Sequence, residues 1–234
     1  MKPQFESQVI ESVQNTRSSR SIRFCRPPGF DYLPGQFIIL ELNGIEGEIR
    51  KPLTLSSSPT EEFLQVTKRL TGHEFSNALL SLKNGDTIRF SGPYGDFTFN
   101  GEYNKIAMLS GGIGITPLRS IIKYCTDKCL ATDIFLFYSN RQEDDIPFKD
   151  EFDSLNAKNQ NLTIINTLTR PALNWKGRMG RIDANMIKEL LPNYADWTFY
   201  SSGPQRMVDS MLLLLKELGI PEKQARLEYF PGYD

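Results

Sequence analysis

The segment LSGGIGITP at 109–117 sets Gly111, Gly112 and Gly114 between an apolar stretch and a helix expected to open at Pro117. Glycines leave backbone N–H groups open to close approach by an anion. A helix start adds further N–H groups and the positive end of its dipole. These residue types in this order suit a pyrophosphate. At the carboxyl end of a strand in a doubly wound sheet, that means a dinucleotide. The spacing is not G-x-G-x-x-G, so a different phosphate turn is implied. A glycine-rich turn of purely structural origin is the alternative reading.

Other reactive side chains are sparse. The 234 residues include three cysteines and one histidine. A small odd set, Cys25, Cys125 and Cys129, argues against a disulfide framework and for a reducing compartment, the cytoplasm. Cys125 and Cys129 stand four apart and could offer two metal ligands, but no third and fourth stand near them. The C-x4-C-x2-C spacing of a plant-type iron–sulfur cluster is missing, so no metal site is expected. His73, in a loop, has the character of a solvated surface residue. The formal net charge of -1 gives no field that would favour nucleic acid or an anionic membrane. The start MKPQFESQ lacks the apolar core of a signal peptide, and the apolar run at 211–215 is far too short to span a bilayer.

The elements that must position the glycine loop differ between the two halves of the chain. Up to about residue 100, short alternating or apolar runs at 8–13, 21–24, 36–42, 53–57, 63–67 and 87–91 are divided by turn residues such as Pro34 and Gly35, or Asn84 and Gly85. That pattern predicts an antiparallel barrel or sandwich. One helix is expected at 76–82, with Ser76 as its N-cap. Beyond, strand-like runs at 105–110, 133–138, 162–167, 197–201 and 226–230 alternate with helical stretches. The clearest helix, 204–218, opens on Pro204 and closes before Gly219. This alternation predicts a parallel sheet covered on both faces. The boundary is placed at 100/101, giving units 1–100 and 101–234.

Five segments, in order, resemble the ferredoxin–NADP(+) reductase-like flavoproteins over nearly the whole chain. They are FDYLPGQF at 30–37, RKPLTLSSSP at 50–59, LSGGIGITPLRS at 109–120, SSGPQRMVDSM at 201–211 and LEYFPGY at 227–233. The resemblance implies an N-terminal Greek-key β-barrel holding FAD and a C-terminal Rossmann-like α/β unit holding NAD(P)H. The nicotinamide would give hydride to flavin N5, and the flavin would release electrons singly.

The resemblance also assigns residues. Lys51, Pro52, Leu53 and Thr54 match the family's Arg-x-Tyr-Ser/Thr tetrad. Lys51 exchanges a forked cation for a point charge, with Arg50 beside it, and Leu53 cannot stack as the aromatic residue does. Thr54 keeps the bond to N5. Strand alternation favours Ser56 over Ser57 near the flavin. Gly72 and Ser76, in TGHEFS, would face the FAD pyrophosphate. On the nucleotide side stand Gly111, Gly112, Gly114 and Thr116, then Ser202, Gly203 and Pro204 beside the nicotinamide, with Ser202 where relatives carry cysteine. Ser139 and Arg141 would meet the adenosine ribose. Arg141 would favour NADPH but also fits NADH-using relatives, and Glu143, Asp144 and Asp145 would repel the 2′-phosphate if they turned inward. Glu228 and Phe230 match the family's glutamate and aromatic residue beside the flavin. Thr54, Ser202 and Glu228 are therefore the expected catalytic groups. The expected acceptor is a separate ferredoxin, flavodoxin or other iron–sulfur protein. Reduction of free flavin, or a non-turnover role as a docking subunit of a larger redox complex, are the alternatives.

Overall fold

The computed structural model describes residues 3–45 and 47–230. The last part of the fifth family-like segment, 231–233, lies outside them.

Six antiparallel strands build the first half: β1 (Gln4–Thr16), β2 (Ser19–Cys25), β3 (Phe37–Asn43), β4 (Glu48–Thr54), β5 (Phe63–Arg69) and β6 (Thr87–Tyr94). They run in the order β4-β3-β6-β1-β2-β5. The pairing of β3 with β6 jumps over two strands, which makes the path a Greek key. A bridge between Leu55 and Val66 joins the two ends of the order and closes the barrel. Its interior holds Ile22, Phe24, Phe30, Ile38, Leu40, Val66 and Phe90. Burying each such side chain contributes about 1.5–3 kcal/mol.

Two local expectations fail here. The fourth strand is Glu48–Thr54, not 53–57. Its first residues are polar because β4 is an edge of the hydrogen-bonded order, and Glu48, Arg50, Lys51 and Pro52 are exposed. A polar, Pro-bearing run is typical of an edge strand and hides it from hydropathy. Helix α1 spans Glu74–Ser81, so His73, not Ser76, is its N-cap residue. Ser76 lies inside the first turn, buried, and its hydroxyl accepts a bond from the Thr71 N–H at 3.1 Å.

The second half is a parallel sheet of β7 (Lys105–Gly111), β8 (Asp133–Asn140), β9 (Leu162–Leu168), β10 (Arg178–Met179), β11 (Thr198–Pro204) and β12 (Ala225–Phe230). Their order is β10-β9-β8-β7-β11-β12. Helices α2 (Ile115–Asp127) and α3 (Lys149–Lys158) cover one face; α4 (Ala184–Leu190) and α5 (Gln205–Glu217) cover the other. Alternate strand residues serve the two cores: Met108 and Leu136 face α2 and α3, while Leu109 and Phe137 face α4 and α5. α2 opens at Ile115, after a 3-10 turn over Gly112–Gly114, rather than at Pro117. Pro117 therefore lies within the first turn, where a missing N–H costs nothing. The short β10 escapes sequence reading because two residues carry no periodicity.

This order puts β7 beside β11, with crossovers leaving on opposite faces. The crevice between their carboxyl ends is the switch point where ligands bind in open α/β sheets. No described helix is long and apolar enough to cross a membrane.

Candidate active site at the junction of two cavities

A cavity of about 1090 Å³ opens at that switch point. Gly111, Gly112, Ser139, Arg141, Pro204, Arg206 and Met207 are among its lining residues, and Ser18, Ser19 and Arg69 of the barrel reach it. The glycines of the loop differ in what they do. Gly112 is left-handed, with φ +53, and a Cβ there would meet nothing within 4 Å, so its bare backbone faces open space. Gly111 makes room for Ser139 and Met207. Gly114 has an ordinary helical φ of -59, but a Cβ would sit 2.2 Å from the Ser202 carbonyl oxygen. Gly114 thus lets the loop press against β11, and it lines neither cavity.

The second cavity, about 260 Å³, is a slot lined by Phe37, Pro52, Leu53, Thr54, Thr67, Ile113, Thr116, Glu228, Tyr229 and Phe230. Barrel strands form one wall, and the glycine loop, α2 and β12 form the other. Ile113 lines both cavities. Pro52, Leu53, Thr54, Glu228 and Phe230, expected beside the flavin, all line this slot, and Thr116, expected on the nucleotide side, lines it too. The sequence reading missed Phe37, Thr67 and Ile113, which need the strand pairing to be placed.

Several expected site residues stand elsewhere. Arg50 is bound outside, 2.6 Å from a Glu48 carboxylate oxygen and 3.3 Å from one of buried Glu41. The Glu48 hydrogen bond and the Glu41 charge hold its pKa up. Lys51, its neighbour, is exposed and has no anionic partner among the described residues. Ser56 is buried one layer behind the slot, sharing a 2.7 Å hydrogen bond with Thr67. Ser57 turns away to Tyr32 at 2.9 Å. Ser202 is buried, and its hydroxyl donates to the Gly114 carbonyl at 2.7 Å. Gly203, buried behind Pro204, and the pair Gly72 and Ser76 line neither cavity. Cys125 is in the core, where burial, then the charge of Glu102, pushes its thiol up to about 12, whereas Cys129 is exposed. No group of metal-ligating side chains occurs among the described residues.

The electrostatics of the slot are uneven. Burial, then the charge of Asp96, pushes the Glu228 carboxyl up to about 7. Burial, then the nearby charge of Lys51, pulls the Lys68 ammonium down to about 8. Lys51 and Lys68 thus lie close enough for their charges to be felt, each next in sequence to a residue that lines the slot, Pro52 and Thr67.

The chemistry of these groups fits a flavin. An apolar slot with hydroxyls from Thr54 and Thr67 suits a flat ring, and exposed Lys51, next in sequence to the slot residue Pro52, suits a diphosphate. Phe37, which stacks on Tyr94 at 5.6 Å, together with Tyr229 and Phe230, gives the slot the aromatic surface that Leu53 does not. The open, left-handed Gly112 fits the phosphates of a second nucleotide in the larger cavity.

Fold and paired cavities define a two-domain protein of the kind that binds a flavin and a nicotinamide nucleotide. Residues 7–99 match the oxidoreductase FAD-binding domain, and 108–212 match the oxidoreductase NAD-binding domain. NADH-cytochrome b5 reductase 1 of Emericella nidulans is 32% identical over 92% of this chain and 75% of its own length. Ferredoxin–NADP reductase B of Sorangium cellulosum is 28% identical over 97% of both chains. The glycine betaine monooxygenase reductase subunit of Pseudomonas aeruginosa is 29% identical over 94% of this chain, which spans only 63% of that relative's length. The chain belongs to the ferredoxin–NADP(+) reductase-like family of FAD- and NAD(P)-binding oxidoreductases.

Proposed function

We propose that this chain transfers electrons from NAD(P)H, through FAD, to a separate acceptor protein, a ferredoxin, flavodoxin or other iron–sulfur protein. In this reading 1–100 is the flavin unit and 101–234 the nucleotide unit. The observation that carries it is the meeting of the two cavities at Ile113, which lets a dinucleotide in the larger one end against a ring in the smaller. The reductase and reductase-subunit relatives support transfer to a partner. The free cysteines fit a reducing, cytoplasmic setting.

Bound FAD would supply a ring that takes two electrons together and releases them singly. The chain's residues do the rest. Lys51 holds the diphosphate, and Thr54 offers its hydroxyl to the ring edge. Gly111 and Gly112 bind the nucleotide's phosphate side, Ser139 and Arg141 its adenosine end, and Thr116, which lines the slot, meets its nicotinamide end. Pro204 turns the chain beside the nicotinamide, and Phe230 covers the slot. Glu228, with its raised pKa, holds a proton near neutral pH and can give it up inside the slot. Ser202 acts from behind, keeping the Gly114 carbonyl in place rather than touching a ring.

Purified protein should be yellow and should bleach on anaerobic addition of NADPH or NADH. It should then recolour on adding an oxidised acceptor protein. A chain that neither binds FAD nor bleaches with either nucleotide would overturn the proposal.

A further inference from the structure

Arg119 lies on α2, one turn beyond Thr116, and is 2% exposed. It lines neither cavity. All five guanidinium N–H groups are used. Nη1 donates to the Ser56 carbonyl at 2.8 Å and to Glu61 at 2.5 Å; Nη2 donates to Glu61 at 3.0 Å and to Glu151; Nε donates to Glu151 at 3.2 Å. Ser56 follows Thr54 by two residues, and Glu61 lies just before β5. Glu151 belongs to α3. The next residue, Ser120, donates to the Ser57 carbonyl at 2.5 Å. Two consecutive residues of the helix that carries the nucleotide loop therefore grip two consecutive carbonyls of the segment that carries the flavin wall.

A buried cation between two carboxylates is a poor way to gain stability, because desolvation offsets most of the attraction. What five directional bonds supply is a fixed spacing. Hydride transfer needs reacting atoms about 3–3.5 Å apart, and a misplacement of about 1 Å costs about 100-fold. We propose that Arg119 is a positioning residue that sets the distance between the flavin slot and the nucleotide loop by holding Ser56 and Glu61 of the barrel against α2. This rests on the hydride-transfer reading above. It assigns the spacing to a residue that touches neither ring.

The test compares the FAD-loaded full chain with Arg119→Lys, which keeps the charge but loses the fork. In anaerobic stopped-flow mixing, the limiting rate of bleaching by NAD(P)H should fall about 10–100-fold. The half-saturating nucleotide concentration should change less than about threefold. The long-wavelength charge-transfer absorbance of stacked nicotinamide and flavin should weaken, while bleaching by dithionite stays as in the parent. Spin labels on exposed Cys25 and Cys129, one in each half, read the seam directly. Their distance distribution should be narrow in the parent and broad in the variant. Glu61→Gln, which keeps the shape but removes one charge, should shift the same readouts in the same direction by less. A parent-like rate and distance distribution in Arg119→Lys would overturn the proposal, as would loss of FAD from both variants, which would make the cluster a determinant of folding. If the parent itself fails to bleach with either nucleotide, the functional reading falls, while the label distances still decide whether Arg119 fixes the seam.

Discussion

Strand alternation sends Arg50 and Lys51 to opposite faces of β4, and their partners follow from it. Arg50 meets Glu41 and Glu48, whereas Lys51 is left to attract an anion. Lys51→Glu should therefore weaken FAD binding about 10–100-fold, and Arg50→Ala should change it less than about twofold. Fluorescence titration of apoprotein with FAD measures both. Glu228 makes the second test at this scale. Its folded pKa, about 7, lies above that of an unfolded glutamate, so between roughly pH 4.5 and 7 the native chain binds more protons than the unfolded one. Its stabilising contribution is complete below that range and is lost as the pH rises through 7. Glu228→Gln should thus match the parent in stability at pH 4 and exceed it by on the order of 1–3 kcal/mol at pH 8. In denaturant melts at the two pH values, an equal difference at both would contradict this. The NAD(P)H-dependent rate of the parent should turn over near pH 7, and that inflection should vanish in the variant.

At the scale of elements, the glycine loop was legible in outline and not in detail. Three glycines between a strand and a helix announce a phosphate turn, but the chain alone cannot show which glycine faces ligand and which faces protein. Gly112 has open space before it, and Gly114 has Ser202. Gly112→Ala should cost about 1–2 kcal/mol of left-handed strain and should weaken nucleotide binding most. Gly114→Ala, free of that strain, must push β11 away and should cost about 1–3 kcal/mol of stability by overpacking. Nucleotide titrations should show the larger loss of affinity in Gly112→Ala, while urea melts should show that Gly114→Ala loses stability without a matching loss of affinity. The parallel strands were readable because both their faces are buried and they run apolar throughout. β4 was not, since as an edge strand it is polar in its first half. Ser56, expected beside the flavin, does not line the slot for a related reason. β4 ends at Thr54, so alternation does not carry on to Ser56, which turns to Thr67 instead.

Over the whole molecule, each half announces itself in the sequence, but the joint between them does not. Arg119, Glu151 and the stretch with Ser56 and Glu61 come from three separate parts of the chain with no shared period, so only the folded structure shows that one guanidinium ties them together. Cys125 and Cys129 show the converse, a suggestive spacing that folding separates into core and surface. The joint also bears on how the chain unfolds. The flavin slot is walled by both halves, so FAD held there stabilises the barrel and the α/β unit together. With free FAD at 100 times its dissociation constant, binding adds about 2.7 kcal/mol. At about 2–4 °C per kcal/mol for a chain of this size, removing FAD should lower the melting midpoint by about 5–10 °C. Calorimetry should show one transition for the FAD-loaded chain, because neither half can open without losing both the slot and the bonds of Arg119. Stripping FAD removes the first tie and leaves the second, so the apoprotein should still melt in one step at the lower midpoint. Apo-Arg119→Ala should lose both and melt in two. A single transition in that last sample would show that the remaining contacts across the seam, such as Ser120 to Ser57 and Thr60 to Asp127, are enough to couple the halves.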